Sequence, residues 1–422
     1  MNLLKTSALN GIAVLIKTAS MFILNKILAI YLGPSGYAAI GQFQNFIQIV
    51  TSFAGGAINT AVVKYTAEYY EDENKQRAIW KTAGSIVFLF SIIIAVLLLF
   101  FQRQLSVYIF QTDEFQSIFV WFAIFLLFFN FNTLFLAILN GKKEILKLVI
   151  ANIAGSLFSL VITGFLAFKF GLYGALVALS IYQSTAFMVT LLLCYKADWF
   201  KFRYLFGKID RDITRKFAGF ALMALTSALC GPLSQIAIRT YMTGEFGIEY
   251  AGYWEAMIRL SGAYLMLVTV TLSVYYLPRL SELSAIRDIK KEVYLGYKFI
   301  FPVALLGAML VYLLRDWVIG LLFTDAFLPM RDLFLWQMIG DSLKIGSWIL
   351  AYLMISKAMT KLFIITEIIF SVSLVILTYL FTNIFGFEGV SIAYLVNYAS
   401  YWIVMSLFVF KALTIKKSSY DV

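Results

Sequence analysis

The 422-residue sequence has no histidine, two cysteines and five prolines, and only 14% of its residues are charged. Without histidine, the chain has no histidine-assisted nucleophile, no histidine metal ligand and no histidine proton relay. Cys194 and Cys230 lie in or beside apolar segments and form no CxxC motif, so we predict neither a metal site nor a disulfide framework. No glycine-rich phosphate loop follows a strand pattern. These absences predict a protein that has no catalytic residues and is not an enzyme.

Apolar surface is what the sequence has in excess. Hydrophobic residues make up 62% of the chain, aromatic residues 17%, and the mean hydropathy is +0.86. A soluble domain has no means of hiding so much apolar surface, so the surrounding solvent must be lipid. The stretch 9–31 is too long for the apolar core of a signal peptide and lacks a small-residue cleavage site. We therefore interpret it as the first membrane span.

Apolar runs of about 20 residues, long enough to cross the hydrocarbon core, recur along the chain. They lie near residues 8–31, 37–63, 79–101, 115–139, 145–168, 172–195, 214–239, 250–277, 293–314, 329–355, 362–385 and 388–410. With the N-terminus inside, 25 of the 34 Lys and Arg residues fall on cytoplasmic segments and five fall outside, as the positive-inside rule requires. The net charge of +11 then reflects topology and not nucleic-acid binding. The sequence predicts an all-α integral membrane protein with twelve transmembrane helices and both termini inside.

The chain also divides into two six-helix lobes. The longest inside loop, 196–216, lies at the centre of the chain and is rich in basic residues, so we interpret it as a solvated connector. KILAIYLGPSGYAAIGQ from Lys26 aligns with RTYMTGEFGIEYAGYWE from Arg239 at an offset of 213 residues, which favours a parallel repeat. We predict an N-terminal lobe over 1–200, a basic cytoplasmic linker over 201–213 and a C-terminal lobe over 214–422.

Polar residues recur on one face of each of the first two spans. They are Ser7, Asn10, Lys17, Thr18 and Asn25 in span 1, and Asn45, Gln48, Ser52, Gly55, Gly56 and Asn59 in span 2. Polar groups are costly in a bilayer, so the stripe in span 2 indicates a cavity lining, although its glycines also suit close helix packing. Both interpretations stay open. Spans 3, 4, 9 and 12 are mostly apolar, and we predict that they face lipid.

Charged residues lie inside several spans. Glu255 and Arg259 are four residues apart in span 8. Asp341 and Lys344 share a face of span 10 with Gln337 and Trp348. Glu367 lies near the inner end of span 11. Five intramembrane cations (Lys17, Lys26, Arg239, Arg259 and Lys344) face three anions (Glu255, Asp341 and Glu367). This surplus favours a water-filled cationic cavity that binds an anionic group such as a phosphate or pyrophosphate. No acidic residue lies in the core of spans 1–6, which weakens the case for a cation-coupled drug exporter.

Several stretches carry a resemblance to a known family. They are KILAIYLGPSG (26–36), AGGAINTAVVKYTAEY (54–69), SVYYLPRLSEL (273–283), RDIKKEV (287–293), LLRDWVIGLLF (313–323) and MRDLFLWQMIGDSLKIGSWILAYL (330–353). Through them the sequence resembles the Wzx-type lipid-linked oligosaccharide flippases of the multidrug/oligosaccharidyl-lipid/polysaccharide (MOP) exporter superfamily, in particular the lipid III flippases and O-antigen translocases. The resemblance implies two six-helix lobes around a V-shaped central cavity, as in MATE transporters.

The resemblance also implies an activity. Such proteins translocate undecaprenyl-pyrophosphate-linked oligosaccharide repeat units, of O-antigen or lipid III type, from the cytoplasmic to the periplasmic leaflet of the bacterial inner membrane by alternating access. Expected partners are this substrate, membrane lipids and, as further candidates, a polysaccharide polymerase and a chain-length regulator. We expect a monomer without a resident cofactor, with H⁺ or Na⁺ coupling left open. The alternatives are a MATE-like multidrug or cation antiporter and a non-transporting scaffold.

The candidate site residues fall into two groups. The expected substrate-binding residues are Lys17, Lys26, Arg239, Arg259, Asn45, Gln48 and Asn59, and the expected gating or coupling residues are Asp341, Lys344, Glu255 and Glu367. Glu255 and Arg259 depart from the family pattern, which leaves the glycan open. Lys17 and Arg259 are the cations expected to meet the substrate. Asp341 and Lys344 are either a structural ion pair, neutralising each other, or a gate or coupling site.

Overall fold

The computed structural model describes residues 3–272, 276–283, 285–357 and 359–418. Over these residues the protein is helical and contains no strand, as predicted. The chain divides into two compact units, Met1–Pro232 and Leu233–Val422.

The first unit contains six helices and the first part of a seventh. They are α1 (Leu3–Ala54), α2 (Asn59–Glu68), α3 (Glu73–Phe100), α4 (Gln102–Phe110), α5 (Gln116–Gly141), α6 (Ile145–Tyr195) and α7 (Arg211–Glu245), which continues into the second unit. Two of these elements, α1 and α6, are each a pair of helices joined at a glycine. Gly33 has φ 61° and Gly171 has φ 57°, a left-handed backbone that glycine adopts without steric cost. These breaks separate spans 1 from 2 and 5 from 6, as the sequence predicts.

The second unit contains the rest of α7 and seven further helices. They are α8 (Ile248–Thr271), α9 (Leu277–Glu282), α10 (Ile286–Leu313), α11 (Arg315–Leu322), α12 (Phe334–Ser356), α13 (Thr360–Phe385) and α14 (Gly389–Ser418). A third glycine, Gly386 with φ 65°, separates α13 from α14.

Eight helical segments of the described chain are long and apolar enough to cross a membrane. Three of them, at α1, α6 and α13–α14, contain a glycine break and each provides two of the predicted spans. Helix α8, which corresponds to predicted span 8, is not among the eight and carries Glu255 and Arg259. The structure thus places a helix at every predicted span, while the number of crossings stays a prediction.

Among the eight long apolar segments, those at α5 and α12 are the most enclosed. In each of these two segments, 67% of an apolar 18-residue stretch is buried. The corresponding fraction is 33% in α3 and 22% in α10. Helix α5 packs against α2, α3 and α6, and α12 packs against α8, α10 and α14. The prediction that span 4, which is α5, faces lipid is therefore wrong. The prediction fails because lipid tails are as apolar as leucine, so an apolar helix is equally stable against lipid and inside the protein.

The central basic loop is held on the first unit by a few apolar residues, although its basic residues are exposed. Phe200, Tyr204 and Leu205 are buried in the core of the first unit. A Cβ on Gly84 of α3 would lie 2.1 Å from the carbonyl oxygen of Leu205, so the glycine allows this close approach. The aromatic residues between the basic ones supply enough apolar surface to hold the loop on the unit. The two compact units divide at Pro232, within α7, and the predicted bounds of the lobes and linker stay predictions.

Candidate functional site

The second predicted span is interrupted between α1, which ends at Ala54, and α2, which begins at Asn59. Gly56 has φ 65° and Ala57 has φ 51°. The left-handed backbone costs a residue with a Cβ about 1–2 kcal/mol, so Ala57 is strained. The Ala57 amide donates to the carbonyl of Ser52 over 2.9 Å, which holds the turn. Interrupted helices at membrane depth are places where transporters build ligand sites.

A pocket of about 230 Å³ opens beside this interruption. Its lining, all in the first unit, is Thr51, Ser52, Gly55, Ala57, Asn59, Thr60, Asn130, Thr133 and Ala224. Most of these side chains carry a hydroxyl or an amide, and none is charged. The pocket therefore suits a neutral polar ligand, such as sugar hydroxyl or acetamido groups, and provides no countercharge.

Two asparagines of the pocket differ in their hydrogen bonding: the side chain of Asn130 is held by a partner, whereas the amide oxygen of Asn59 has no described donor. Asn130 is 1% exposed, and its Nδ2 donates to the hydroxyl of Ser91 over 3.0 Å. That hydroxyl in turn donates to the carbonyl of Ala54 over 3.3 Å, which satisfies the last residue of α1. By contrast, Oδ1 of Asn59 is buried and accepts no hydrogen bond from the described residues. Buried amide oxygens without a donor are rare, so Asn59 is a candidate ligand contact.

The polar stripe of span 2 serves both of the purposes that the sequence leaves open. Gly55 and Asn59 line the pocket. Gly56 instead allows close packing, because a Cβ there would lie 2.8 Å from Cγ2 of Ile86 on α3. Cavity lining and helix packing therefore alternate along one face.

The other predicted substrate-binding residues of the first unit do not line this pocket. On α1, Gln48 is exposed and Asn45 is half-buried, and Lys26 is half-buried and in contact with neighbours. Lys17 is exposed, and no carboxylate of the described chain forms an ion pair with it. It remains a candidate for binding an anion. The side chains of Ser7 and Asn10, and all of Ser273, lie outside the described residues.

In the second unit, one carboxyl group bridges two arginines. Oε2 of Glu255 lies 2.5 Å from Nη1 of Arg239, and Oε1 lies 2.8 Å from Nε of Arg259. Arg239 is 1% exposed and Glu255 is 4% exposed. We call these three residues the arginine triad; with both arginines and the glutamate charged, it carries one net positive charge.

The arginine triad shows that neither arginine is an unpaired cation. Arg239 is enclosed by protein, and its guanidinium contacts Glu255. Arg259 is not an unpaired cation, because Glu255 occupies its Nε. A buried guanidinium needs a counterion near it, and Glu255 serves both. Any anion that binds here meets a shared, partly neutralised charge.

Asp341 on α12 is fully buried and is held by polar neighbours. Its Oδ2 accepts a hydrogen bond from Ser261 over 2.6 Å, and its Oδ1 accepts one from Tyr394 over 2.8 Å. Gln337 donates to the same Oδ1 over 3.3 Å. Three donors from three helices, α8, α12 and α14, therefore fix this carboxyl group.

Lys344 does not contact Asp341, so the interpretation of the two as a structural ion pair is wrong, and a gating or coupling role for them stays a prediction. Within the described chain no carboxyl oxygen lies within 4.0 Å of its ammonium, which lies instead over the rings of Tyr398 at 4.7 Å, Trp348 at 5.2 Å and Tyr394 at 5.3 Å. Aromatic faces attract cations, by about 0.5–2 kcal/mol each. The hydroxyl of Tyr394, which donates to Asp341, occupies the position beside Asp341 where an ion pair would place Lys344. Glu367 on α13 is half-buried and is near enough to Lys344 for an electrostatic interaction without direct contact.

A family profile described as "Polysaccharide biosynthesis protein" matches residues 3–284, about two thirds of the chain. The chain belongs to this family. It is also 29% identical, over 403 residues, to the lipid III flippase of Escherichia coli (strain K12), and the match covers 95% of this chain and 97% of that protein. The lipid III flippase of Shigella flexneri matches with the same values.

Solved structures resemble this member of the polysaccharide biosynthesis family over nearly its whole length. A multidrug resistance MATE transporter of the MOP superfamily, in its inward-facing conformation, matches with a TM-score of 0.76 and 15% identity, covering 95% of this chain and 96% of that one. A point mutant of the Vibrio cholerae MATE transporter VcmN matches with a TM-score of 0.71 and 16% identity, covering 97% and 98%. A MOP superfamily transporter from Pyrococcus furiosus matches with 0.63 and 16%, covering 96% of each. These likenesses confirm the predicted MATE-like fold, while the sides of the termini and the V-shaped cavity stay predictions.

The sequence contains signals for site residues that its overall hydropathy hides. Asn130 and Thr133 lie in FNFNTLF, a polar interruption of span 4, which is otherwise apolar and is predicted to face lipid. Tyr394 and Tyr398 lie four residues apart on α14, another span that is predicted to face lipid. In both cases the polar atoms of an otherwise apolar helix are the usable signal.

A double-mutant cycle at Asp341 and Lys344 is expected to show coupling through their shared partner Tyr394 and not through an ion pair. Lys344→Met removes aromatic contacts and an electrostatic interaction at a distance. Asp341→Ala leaves three donors unsatisfied at about 1–3 kcal/mol each, so it costs more stability. Because Tyr394 donates to Asp341 and its ring also lies beneath the ammonium of Lys344, the two losses should depart from additivity by about 0.5–3 kcal/mol in thermal unfolding of the purified protein. The exchange Asp341→Lys with Lys344→Asp should rescue nothing, because a lysine accepts no hydrogen bond from Ser261 or Tyr394. Full rescue would restore the ion-pair interpretation.

Proposed function

We propose that this member of the polysaccharide biosynthesis family is a flippase that moves a lipid-linked oligosaccharide from the cytoplasmic to the periplasmic leaflet of the bacterial inner membrane by alternating access. The observation that carries the proposal is 29% identity to lipid III flippases over 95% of the chain. The proposed substrate is an undecaprenyl-pyrophosphate-linked repeat unit of O-antigen or lipid III type. A polymerase and a chain-length regulator remain candidate partners, and the protein is proposed to act as a monomer.

Different polar groups of the protein suit the two polar parts of such a substrate, the sugars and the pyrophosphate. The pocket beside Asn59 presents amides and hydroxyls without charge, which matches sugar hydroxyl and acetamido groups. Lys17, which has no described carboxylate partner, and the net positive arginine triad match a pyrophosphate. A transporter of this kind has no need of a reacting side chain, since it breaks no covalent bond.

The alternative is a MATE-like multidrug or cation antiporter. The MATE structures match at 15–16% identity, which carries the fold and no substrate. The uncharged lining of the pocket in the first unit favours a neutral polar group over an organic cation. Increased drug sensitivity of a deletion strain whose surface glycan is unchanged would favour the antiporter.

The proposal is tested by reconstituting the purified protein in vesicles that contain a fluorescent undecaprenyl-pyrophosphate-linked oligosaccharide in both leaflets. A membrane-impermeant reductant bleaches the outer leaflet, and flipping then exposes the remainder. Protein-containing vesicles should lose nearly all fluorescence, whereas protein-free vesicles should retain about half. Retention of half the fluorescence with correctly inserted protein would overturn the proposal.

The same vesicles test the coupling ion and the glycan. We propose that H⁺ or Na⁺ drives transport through the region of Asp341 and Glu367, so an imposed gradient of one of these ions should accelerate flipping. Equal rates with and without both gradients would count against coupling. Complementation of flippase-deficient strains with defined repeat units identifies the glycan.

A further inference from the structure

The turn between α5 and α6 presents two adjacent lysines in an unusual backbone conformation. Lys142 and Lys143 follow the last residue of α5, and Lys143 has φ 58°. Glycine normally occupies a left-handed position after a helix, because a Cβ there costs about 1–2 kcal/mol. A lysine at this position gives up stability that a glycine would retain. Such strain at an exposed cation points to a use for the cation.

The turn is held in place by buried groups. Gly141 allows α5 to approach α2 so closely that a Cβ would lie 2.6 Å from Cβ of Thr66. Gln76, which is 1% exposed, donates to the carbonyl of Thr66 over 2.7 Å. Its other side-chain atom, Oε1, accepts a hydrogen bond from Lys142 over 3.1 Å. A buried amide therefore positions the ammonium of Lys142 before any ligand arrives.

Two aromatic rings complete the cluster. The ammonium of Lys142 lies 5.2 Å from the ring centre of Tyr70 and 5.6 Å from that of Trp199, and the ammonium of Lys143 lies 5.4 Å from that of Tyr70. Trp199 is fixed by donating to Glu144 over 2.9 Å. We call Lys142, Lys143, Tyr70 and Trp199 the lysine–aromatic cluster.

The lysines of the lysine–aromatic cluster have no described carboxylate in direct contact, and Glu73 and Glu144 act on Lys142 only at a distance. Glu144, which follows the two lysines directly, forms its ion pair with Lys147 at 3.4 Å. Within the described chain no carboxylate forms an ion pair with Lys142 or Lys143. Burial lowers the pKa of the Lys142 ammonium from its ordinary value, because it disfavours the charged form. A bound anion would stabilise the charged form and raise this pKa again.

An apolar strip begins where the cluster ends. Leu146, Ile150, Leu157, Val161 and Phe165 recur at helical spacing along one face of α6, and each is 41–64% exposed. In a membrane protein such a face contacts acyl chains. The charged cluster matches the phosphate of a phospholipid, and the apolar strip that leads away from it matches the acyl chains. A soluble phosphate would contact only the charged cluster.

We propose that the lysine–aromatic cluster binds the phosphate of an acidic phospholipid, whose acyl chains lie along the exposed strip of α6. The basic end of this unit is the one that the positive-inside rule assigns to the cytoplasmic leaflet, where anionic lipid attracts such clusters. Tyr70 and Trp199 suit the headgroup region, which aromatic side chains favour. This site is separate from the pocket beside Asn59.

The test measures phospholipid retained by the full chain in detergent, using native mass spectrometry with cardiolipin, phosphatidylglycerol and phosphatidylcholine. The double variant Lys142→Gln/Lys143→Gln should bind the two acidic lipids about thirtyfold more weakly, as expected for two basic contacts at a membrane surface. Lys201→Gln/Lys208→Gln, which removes the same charge from exposed positions of the central loop, is the matched control and should change binding less than twofold. Equal losses in both variants, or equal binding of phosphatidylcholine, would overturn the proposal.

A single variant guards against misfolding. Lys143→Gly removes one cation and also relieves the positive φ, so its melting temperature in lipid-free detergent should equal or exceed that of the unaltered protein. Its affinity for acidic phospholipid should nevertheless fall about fivefold. A more stable variant with unchanged lipid affinity would overturn the proposal. Displacement of bound cardiolipin by inorganic phosphate, or by undecaprenyl pyrophosphate at lower concentration, would also overturn the assignment to a phospholipid.

Discussion

Replacing Glu255 with glutamine is expected to lower the free energy of unfolding by about 3–5 kcal/mol. Glu255 contacts Arg239 at 2.5 Å and Arg259 at 2.8 Å, and all three side chains are largely enclosed by protein. The amide would remove the negative charge that the two guanidinium groups share, and removing one partner of a buried pair carries a cost of that size. Thermal unfolding of the purified protein in detergent, followed by tryptophan fluorescence, measures the loss.

The matched control is Glu249→Gln, the same change at an exposed position of α8. It should alter stability by no more than about 0.5 kcal/mol. Arg259→Gln should cost less than Glu255→Gln, because it leaves a glutamate still paired with Arg239. If Glu255→Gln is as stable as Glu249→Gln, the arginine triad is not a buried ion network in the native protein.

A further variant separates the stability of the arginine triad from its use in transport. Replacing all three residues with apolar ones, Arg239→Met/Glu255→Leu/Arg259→Met, should recover most of the stability, because apolar packing often replaces a buried ion network without loss. The same variant should fail to flip the lipid-linked oligosaccharide if the net positive charge attracts pyrophosphate. Full flipping activity would show that the charges serve the fold alone.

Replacing Lys17 with alanine is expected to lower the rate of flipping by about 10- to 100-fold. A charge-assisted hydrogen bond from an ammonium to a phosphate contributes about 1.5–3 kcal/mol, and each 1.4 kcal/mol is tenfold in rate or affinity. Lys17 is exposed and has no described carboxylate partner, so the melting temperature should stay unchanged. The vesicle assay, normalised to the amount of inserted protein, measures the rate.

Two variants bracket this result. Lys17→Arg keeps the charge and should retain most of the activity. Lys169→Ala removes an exposed lysine elsewhere in the first unit, near Phe165 and Phe170, and should leave the rate unchanged. If Lys17→Ala flips the substrate at the normal rate, Lys17 does not bind the pyrophosphate. The cationic contribution would then have to come from the second unit.

The helices were predictable because each depends on local sequence. About 20 apolar residues make a span, and Gly33, Gly171 and Gly386 mark the turns, since only glycine adopts a left-handed backbone without cost. The family was predictable for a related reason, because matching stretches are spread over most of the chain. Neither inference needs any knowledge of which helix touches which.

The pairing of charges was not predictable, because partners are chosen across helices. Spacing alone places Lys344 one turn from Asp341, but Tyr394 and Ser261 arrive from other helices and occupy the carboxyl oxygens. Likewise, the four-residue spacing of Glu255 and Arg259 predicts a pair, yet Arg239 of α7 makes it a triad. A sequence gives the distance between residues on one helix and none between helices.

The sequence by itself therefore determined a helical membrane protein, its turns, its family and the list of costly intramembrane groups. Only the tertiary structure decided which of those groups neutralise one another, that α5 is an enclosed helix, and that the polar pocket lies beside an interrupted span. The physical reason is that apolar side chains pack equally well against lipid and protein. Burial in a membrane protein is consequently set by the arrangement of helices, and hydrophobicity, which a sequence displays, does not encode it.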